Sequence, residues 1–309
     1  MPDEACAAIL PQEAASGDAG AAMYPGLVLV STPIGNLGDM TPRGRAALAQ
    51  ADLVLAEDTR HTARLLAAFG ITARLQPLHD HNEERRIAPL LEMLRQGRRI
   101  ALVSDAGTPL LSDPGFRLVR AAIAAGLPVG ATPGPNAAIT ALTLSGLPPQ
   151  PFLFLGFPPP RPAARRAAFG TLRAAERAGL AATLIWHEAP HRLAETLDDL
   201  HAAFGARPAA VARELTKRFE EVLRGTPADL AAAFATTPPR GEITLLLGPP
   251  EAGGAGDSED LDGRLIAALA GNSVKDAAVL VAAATGLPRK LVYARALALT
   301  RPGVSDERT

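Results

Sequence analysis

The stretch Ala101-Leu102-Val103-Ser104-Asp105-Ala106-Gly107-Thr108-Pro109-Leu110-Leu111-Ser112-Asp113-Pro114-Gly115 decides how this chain is read. A short apolar run, Ile100–Ser104, enters it, and a helical pattern at 116–125 leaves it. Runs of four or five apolar residues bounded by turn formers read as buried strands. Three more lie in the first half of the chain, at Leu27–Ser31, Leu53–Ala56 and Pro128–Ala131, with helical patterns at 42–50, 60–69, 84–96 and 135–145 between them. That alternation predicts an α/β domain around a largely parallel sheet.

Each of these strands runs into an unusual loop. The loops are Thr32-Pro33-Ile34-Gly35-Asn36-Leu37-Gly38-Asp39, Glu57-Asp58-Thr59-Arg60-His61, the Asp105–Gly115 stretch and Thr132-Pro133-Gly134-Pro135-Asn136. Ligands of open α/β sheets bind at the carboxyl ends of the strands, and glycine lets backbone approach them closely. One such loop would be ordinary turn chemistry. Four on one sheet edge predict a cofactor site built from Pro33, Ile34, Gly35, Asp105, Ala106, Gly107, Thr108, Ser112, Asp113, Pro133 and Gly134. No phosphate-cradling G-x-x-x-x-G-K-[ST] occurs, and no G-x-G-x-x-G opens a helix after the first strand, which disfavours ATP and dinucleotides.

Past Leu147-Pro148-Pro149-Gln150-Pro151, a stiff break, a second α/β series follows with strands at Phe152–Gly156, Ala182–His187, Ala209–Arg213 and Glu242–Leu247. A Gly/Ala/Pro spacer, Pro249–Asp257, leads to short helices that read as a helix-turn-helix-like appendix. The expected organisation is a flexible tail at 1–24, an α/β domain at 25–146, a second at 150–249 and the appendix at 258–300.

Composition narrows the function classes. The 309 residues carry a net charge of −1, so no global basic field marks a nucleic-acid binder, and RNA contacts must come from local patches. A single cysteine, Cys6, excludes a disulfide framework or a multi-cysteine metal site. No apolar run approaches the ~18 residues of a membrane span, and Asp3 and Glu4 stand where a signal peptide would be basic, so a cytoplasmic protein without membrane contact is expected. Met1 and Met23 both stand as translation starts. Of 31 cationic side chains only Lys217, Lys275 and Lys290 are lysines, so each lysine is a stronger signal than any arginine.

The Ala101–Gly115 stretch resembles the signature of a group within the tetrapyrrole methylase superfamily. Thr32–Asp39, Glu57–His61, Thr132–Asn136, His187-Glu188-Ala189-Pro190-His191-Arg192 and Arg213-Glu214-Leu215-Thr216-Lys217 resemble its other blocks, in order from about 27 to 248. The group is the bacterial 16S ribosomal RNA cytidine 2′-O-ribose methyltransferases. The resemblance implies two α/β domains with S-adenosylmethionine folded tightly in the cleft between them, a helical C-terminal module, a homodimer, and 16S rRNA or the 30S subunit as substrate. One departure is His187, where an aromatic Tyr or Phe is expected before the Glu.

His187–His191 also fits H-E-x-x-H, the zinc-protease motif, which works only on a helix. Pro190 biases Ala189 away from helix, and the apolar run before it reads as strand, so strand, turn and a helix starting near Pro190 are expected and no metal site is assigned. His79-Asp80-His81-Asn82-Glu83 reads either as part of an RNA site or as a loop in which Asn82 or Asp80 caps the next helix. Arg161, Arg165, Arg166, Arg173 and Arg177 suit phosphate contacts, or an ordinary solvated helix face.

The ribose 2′-hydroxyl is a poor nucleophile while protonated, so a positioned base or a stabiliser of the developing alkoxide should help. Glu57, Asp58, Glu188 and His61 are candidates, and Arg60, Arg192, Arg213, Lys275 and Lys290 are candidate phosphate contacts. Lys217 has its own claim, because lysine can lose its proton when buried or beside other cations and arginine effectively cannot. Its alternative is a surface lysine paired with Glu214 or Glu221. Two rival readings are a tetrapyrrole methylase, to which a basic helix and an appendix are superfluous, and a non-catalytic ribosome-assembly factor, which would not need four specialised loops.

Overall fold

The computed structural model describes residues 26–236, 239–250, 255–285 and 287–300. The tail expected at 1–24, with Cys6, lies outside the described residues. Packing divides the chain into two units: the first runs to Thr140 and also takes Glu214–Glu220, and the second holds the remainder.

The first unit is a parallel sheet of β1 (Leu27–Val30), β2 (Leu53–Ala56), β3 (Leu75–Pro77), β4 (Ile100–Val103) and β5 (Val129–Thr132), in the order β3-β2-β4-β1-β5. Its helices are α1 (Pro42–Gln50), α2 (Thr59–Ala68), α3 (Glu83–Arg95) and α4 (Phe116–Ala124), while α5 (Ala137–Ser145) spans the division between units. Alternate strand residues face opposite ways. Leu27, Leu53, Leu55, Ile100 and Leu102 pack with Leu90, Leu94, Leu118 and Ala122 of α3 and α4. Val28, Val30, Val54, Ala56, Ala101 and Val103 pack with Ala47, Leu48 and Leu66 of α1 and α2. Both faces are covered, which is why these strands are apolar throughout. The neighbours β2 and β4 send their connections in opposite directions, to β3 and to β5, and the carboxyl ends of diverging strands are where such sheets form ligand crevices.

The second unit departs from a simple repeat of the first. Its sheet has β6 (Phe152–Phe154), β7 (Thr183–Glu188), β8 (Ala209–Arg213), β9 (Glu221–Gly225) and β10 (Ile243–Leu247) in the order β6-β7-β10-β8-β9. Only β6 and β7 run parallel; the other pairs are antiparallel. One face packs on α6 (Pro162–Arg177), α7 (Leu193–Phe204) and α8 (Pro227–Thr236), through Phe169, Leu197, Leu200, Phe204, Leu230 and Phe234. Strand β9 escapes the sequence reading because Glu-Val-Leu-Arg-Gly is a half-exposed edge with charged residues at its pairing positions. The C-terminal helices α9 (Ala255–Leu269), α10 (Val274–Thr285) and α11 (Arg289–Thr300) share a core of Leu261, Leu265, Ala278, Val281, Val292 and Ala296.

Candidate functional site

The loops at the carboxyl ends of the first sheet are tied to one another by hydrogen bonds. Thr32 and Gly107 exchange backbone bonds of 2.9 and 3.0 Å, forming a short antiparallel bridge beyond β1 and β4. Thr32 Oγ1 donates to Ser104 O, and Ser104 Oγ lies 3.2 Å from Ala106 O and from Gly107 O. Thr108 Oγ1 donates to Pro135 O and accepts from Asn136 Nδ2, which joins the β4 and β5 loops. Asp105 Oδ1 accepts from the Asp58 amide at 3.0 Å, which joins β4 to β2. Gly107 has φ +78°, a conformation that costs an L side chain. Leu110 (φ 74°) and Ser112 (φ 73°) adopt left-handed backbone without being glycine, a strained geometry that concentrates at functional sites. Asp105, Gly107, Thr108, Ser112 and Asp113 thus share one braced edge with Pro33, Ile34, Pro133 and Gly134.

Three carboxylates converge there. Asp113 is pushed up to about 7 by burial and by the neighbouring charges of Glu57 and Asp105, with a hydrogen bond to Glu57. Burial and the same acidic neighbourhood raise Glu57 as well. Asp58 is set apart: it is the N-cap of α2, its Oδ1 accepts from Arg60 N at 2.8 Å, and that bond holds its carboxyl below the ordinary range. His61 and Arg60 stand exposed on the first turn of α2.

The block around Lys217 belongs to the same unit. Residues Glu214–Glu220 leave the second sheet between β8 and β9 and lie over the β1 loop. A Cβ on Gly35 would stand 2.4 Å from Lys217 Cγ and 3.0 Å from Leu215 O, so only glycine admits this approach. Glu214 (φ 51°) and Thr216 (φ 65°) are again left-handed without being glycine. Lys217 Nζ meets Glu214 Oε1 at 2.9 Å, and the lysine side chain is 28% exposed. The pairing with Glu214 is the one named by the alternative to a catalytic lysine.

Other residues singled out in the sequence serve the framework. Glu188 is buried at the end of β7, accepting from Thr196 Oγ1 at 2.6 Å and from Ala189 N at 2.8 Å, with Arg192 at 3.4 Å. Arg192 also donates to Pro158 O and Pro159 O, and Arg213 pairs with Glu221. His187 and Glu188 lie on β7 and His191 in a 3-10 turn, Pro190–Arg192, so His187 and His191 do not share a helix face. The His187 ring packs against Phe154 (5.0 Å) and Phe157 (5.6 Å), filling an aromatic's place, and burial lowers its pKa. Arg165 is a correction. It points inward, is fully buried, and binds Asp199 at 2.7 Å and Glu195 at 3.4 Å, so it offers nothing to phosphate. Arg161, just before the same helix, and Arg166 on it face outward, Arg166 with Asp199 at 3.5 Å, while Arg173 pairs with Glu176. Asn82 holds the expected N-cap position of α3, but its side chain makes no cap bond and turns back to His79 N and Pro77 O. Glu83, the last residue of the His79–Glu83 block, accepts from Leu118 N at 2.9 Å and so caps α4 from another helix.

Residues 26–231 match the family Tetrapyrrole (Corrin/Porphyrin) Methylases, and residues 255–300 match the RsmI C-terminal HTH domain. The "Ribosomal RNA small subunit methyltransferase I" of Micromonospora olivasterospora is 48% identical, covering 90% of this chain and 88% of that protein. The protein of the same name from Escherichia coli O157:H7 is 43% identical, covering 88% and 94%. Among solved structures, the methyltransferase CobJ aligns with a TM-score of 0.54 at 22% identity, covering 73% of this chain and 95% of its own. Diphthine synthase aligns at 0.53 with 15% identity, covering 72% and 89%. At such identities the likeness concerns the fold, which agrees with the architecture above. The family match across residues 26–231 and the relatives at 43–48% identity over most of their length settle the matter: the chain belongs to the tetrapyrrole methylase family and groups with the proteins named ribosomal RNA small subunit methyltransferase I.

Proposed function

We propose that this protein transfers a methyl group from S-adenosylmethionine to the ribose 2′-oxygen of a cytidine in the decoding region of 16S rRNA. On this reading it works in the cytoplasm as a homodimer on the 30S subunit. The supporting observation is the braced loop edge with its converging carboxylates, in a chain whose relatives carry the name of a small-subunit rRNA methyltransferase. Among the described residues no helix is long and apolar enough to cross a membrane.

The edge suits the donor. Buried Thr132 Oγ1 has no hydrogen-bond partner at the end of β5, next to Pro133 and Gly134. The Asp105, Asp113 and Glu57 carboxylates suit a positively charged ligand with ribose hydroxyls. Backbone groups of Ile34, Gly35, Ala106, Gly107, Thr108, Pro133 and Gly134, with Ser112, would hold the remainder. The donor supplies an activated methyl on a sulfonium. The chain must align the attacking oxygen with that methyl and handle the hydroxyl proton.

For the proton, two candidates are already engaged. Glu188 is enclosed by its own hydrogen bonds, and Asp58 is engaged as a cap. Glu57 and Lys217 remain beside the loop edge, with exposed His61 further along α2. Arg60, Arg161, Arg166 and Lys290 are the outward cations for phosphate. Arg192 and Arg213 act through the Pro158–Pro159 segment and Glu221.

The test is calorimetry with S-adenosylmethionine, followed by transfer of labelled methyl to 30S subunits lacking the modification. Asp105→Asn should weaken donor binding while the Asp58 amide keeps an acceptor. Unchanged affinity would remove Asp105 from the site, and label entering a tetrapyrrole instead of rRNA would overturn the reading.

A further inference from the structure

The helical module carries a feature that the methyl-transfer site does not use. An open cavity of about 490 Å³ is lined by Lys275 of α10 and by Arg289, Lys290 and Tyr293 of α11. All four side chains are exposed. Two of the three lysines in this arginine-rich chain stand here, and one of its two tyrosines stands with them. Among the described residues none of the three cations is ion-paired. Neutralisation is available elsewhere in the module: Arg295 pairs with Asp262. Asp276, the single acidic residue in 274–300, is engaged with Ser273 Oγ at 2.6 Å. The first turn of α11 holds Arg289 and Lys290 and no acid, although the positive end of a helix disfavours cations. Three unpaired cations around one cavity, two of them at a helix end that repels them, make a wall that attracts an anion.

Tyr293 decides what kind of anion. The residue is 41% exposed in the same wall, and burying its ring against a flat partner removes apolar surface from water. A phosphate beside a planar base matches both halves of this lining, and base-paired RNA does not free a base for stacking. We infer that the cavity is a subsite for an unpaired nucleotide of RNA, with Lys275, Arg289 and Lys290 on the phosphates and Tyr293 stacked on the base. The inference rests on RNA being the substrate. Arg289 joins Lys290 here because it lines the same wall, although only the lysine stands out in the sequence.

The experiment uses the full chain and a fluorescent single-stranded RNA of about 12 nucleotides, titrated by anisotropy across a KCl series. Lys275→Gln with Lys290→Gln should weaken binding and reduce the slope of log K against log [KCl] by about 1.4, at about 0.7 per phosphate contact on a single strand. Tyr293→Leu should weaken binding by about 5- to 150-fold, the worth of one stacked base, with the slope unchanged. Tyr293→Phe should bind like the parent, which separates stacking from loss of fold. Parent-like binding by Tyr293→Leu would overturn the inference. So would equal competition by a blunt RNA duplex of the same length, or displacement of the RNA by phosphatidylglycerol vesicles. Methyl transfer is not read in this assay. A protein that binds the strand here yet methylates no rRNA would contradict only the proposed function. One that methylates 30S subunits while Tyr293→Leu binds like the parent would contradict only the cavity.

Discussion

Glu83 is a buried acid whose Oε1 takes the Leu118 amide, one of the donors that the start of α4 leaves without a helical partner. Because α4 begins directly after the Ser112–Gly115 turn, this bond also fixes the end of the signature loop. Glu83→Ala should cost about 1–3 kcal/mol, the penalty of a buried donor left unmade, and urea unfolding would measure it. Arg165 makes the same point in α6. It stands four residues before Phe169, with Leu172 and Glu176 following on one helical stripe, so its inward direction was legible from the 3.6-residue period. Arg165→Ala should destabilise the fold by about 3–5 kcal/mol, leaving the half-buried Asp199 with only the exposed Arg166 at 3.5 Å as its partner. Arg166→Ala should leave stability nearly unchanged and lower RNA affinity. Asp113 gives a pH signature. Its folded carboxyl, raised from 3.8 to about 7, keeps a proton that the unfolded chain has released. Stability from this group therefore falls as pH climbs through that window. Asp113→Asn should flatten the decline between about pH 4 and about pH 7, and urea midpoints across the window would show it. A parallel decline in the variant would place the titration elsewhere.

The elements were legible to different degrees, for physical reasons. Strands β1, β2, β4 and β5 are buried on both faces or flanked by strong turn formers, so continuous apolar runs marked them within a residue or so. The half-exposed edge strand β9 gave no such run. The mixed pairing of the second sheet was also hidden, because strand direction is set by how the chain returns and not by the composition of a strand. At the candidate site, the loops could be read from their Gly, Pro and Asp content, whereas left-handed Leu110, Ser112, Glu214 and Thr216 could not, since no glycine announces them. Gly35 is the reverse case, a glycine whose role appears only when Leu215 and Lys217 are seen above it. Gly35→Ala should push the Glu214–Glu220 block off the β1 loop. Single-turnover methyl transfer should drop by at least about tenfold, a barrier change of about 1.4 kcal/mol, with the melting temperature little changed. Preserved transfer would mean that this block does not serve the reaction.

For the whole molecule, two units and a helical module are joined in one chain, each with a core of its own. The division falls within α5, and the Lys217 block returns to the first unit, so the site-bearing loops come from distant parts of the sequence. Lys217 is a lysine in a chain that otherwise favours arginine, and its position over Gly35 sets it at the loop edge. If it takes the hydroxyl proton, Lys217→Arg should slow single turnover by ~10²–10⁴-fold with donor binding intact. A silent Lys217→Arg change would reduce it to a charge. The most direct test of the central claim is to map where methyl goes. The purified protein would be incubated with labelled S-adenosylmethionine and 30S subunits lacking the modification, and the 16S rRNA analysed for ribose methylation. Label is expected on the 2′-oxygen of one cytidine in the decoding region; label on a base carbon or nitrogen, or none on 16S rRNA, would contradict the proposed function.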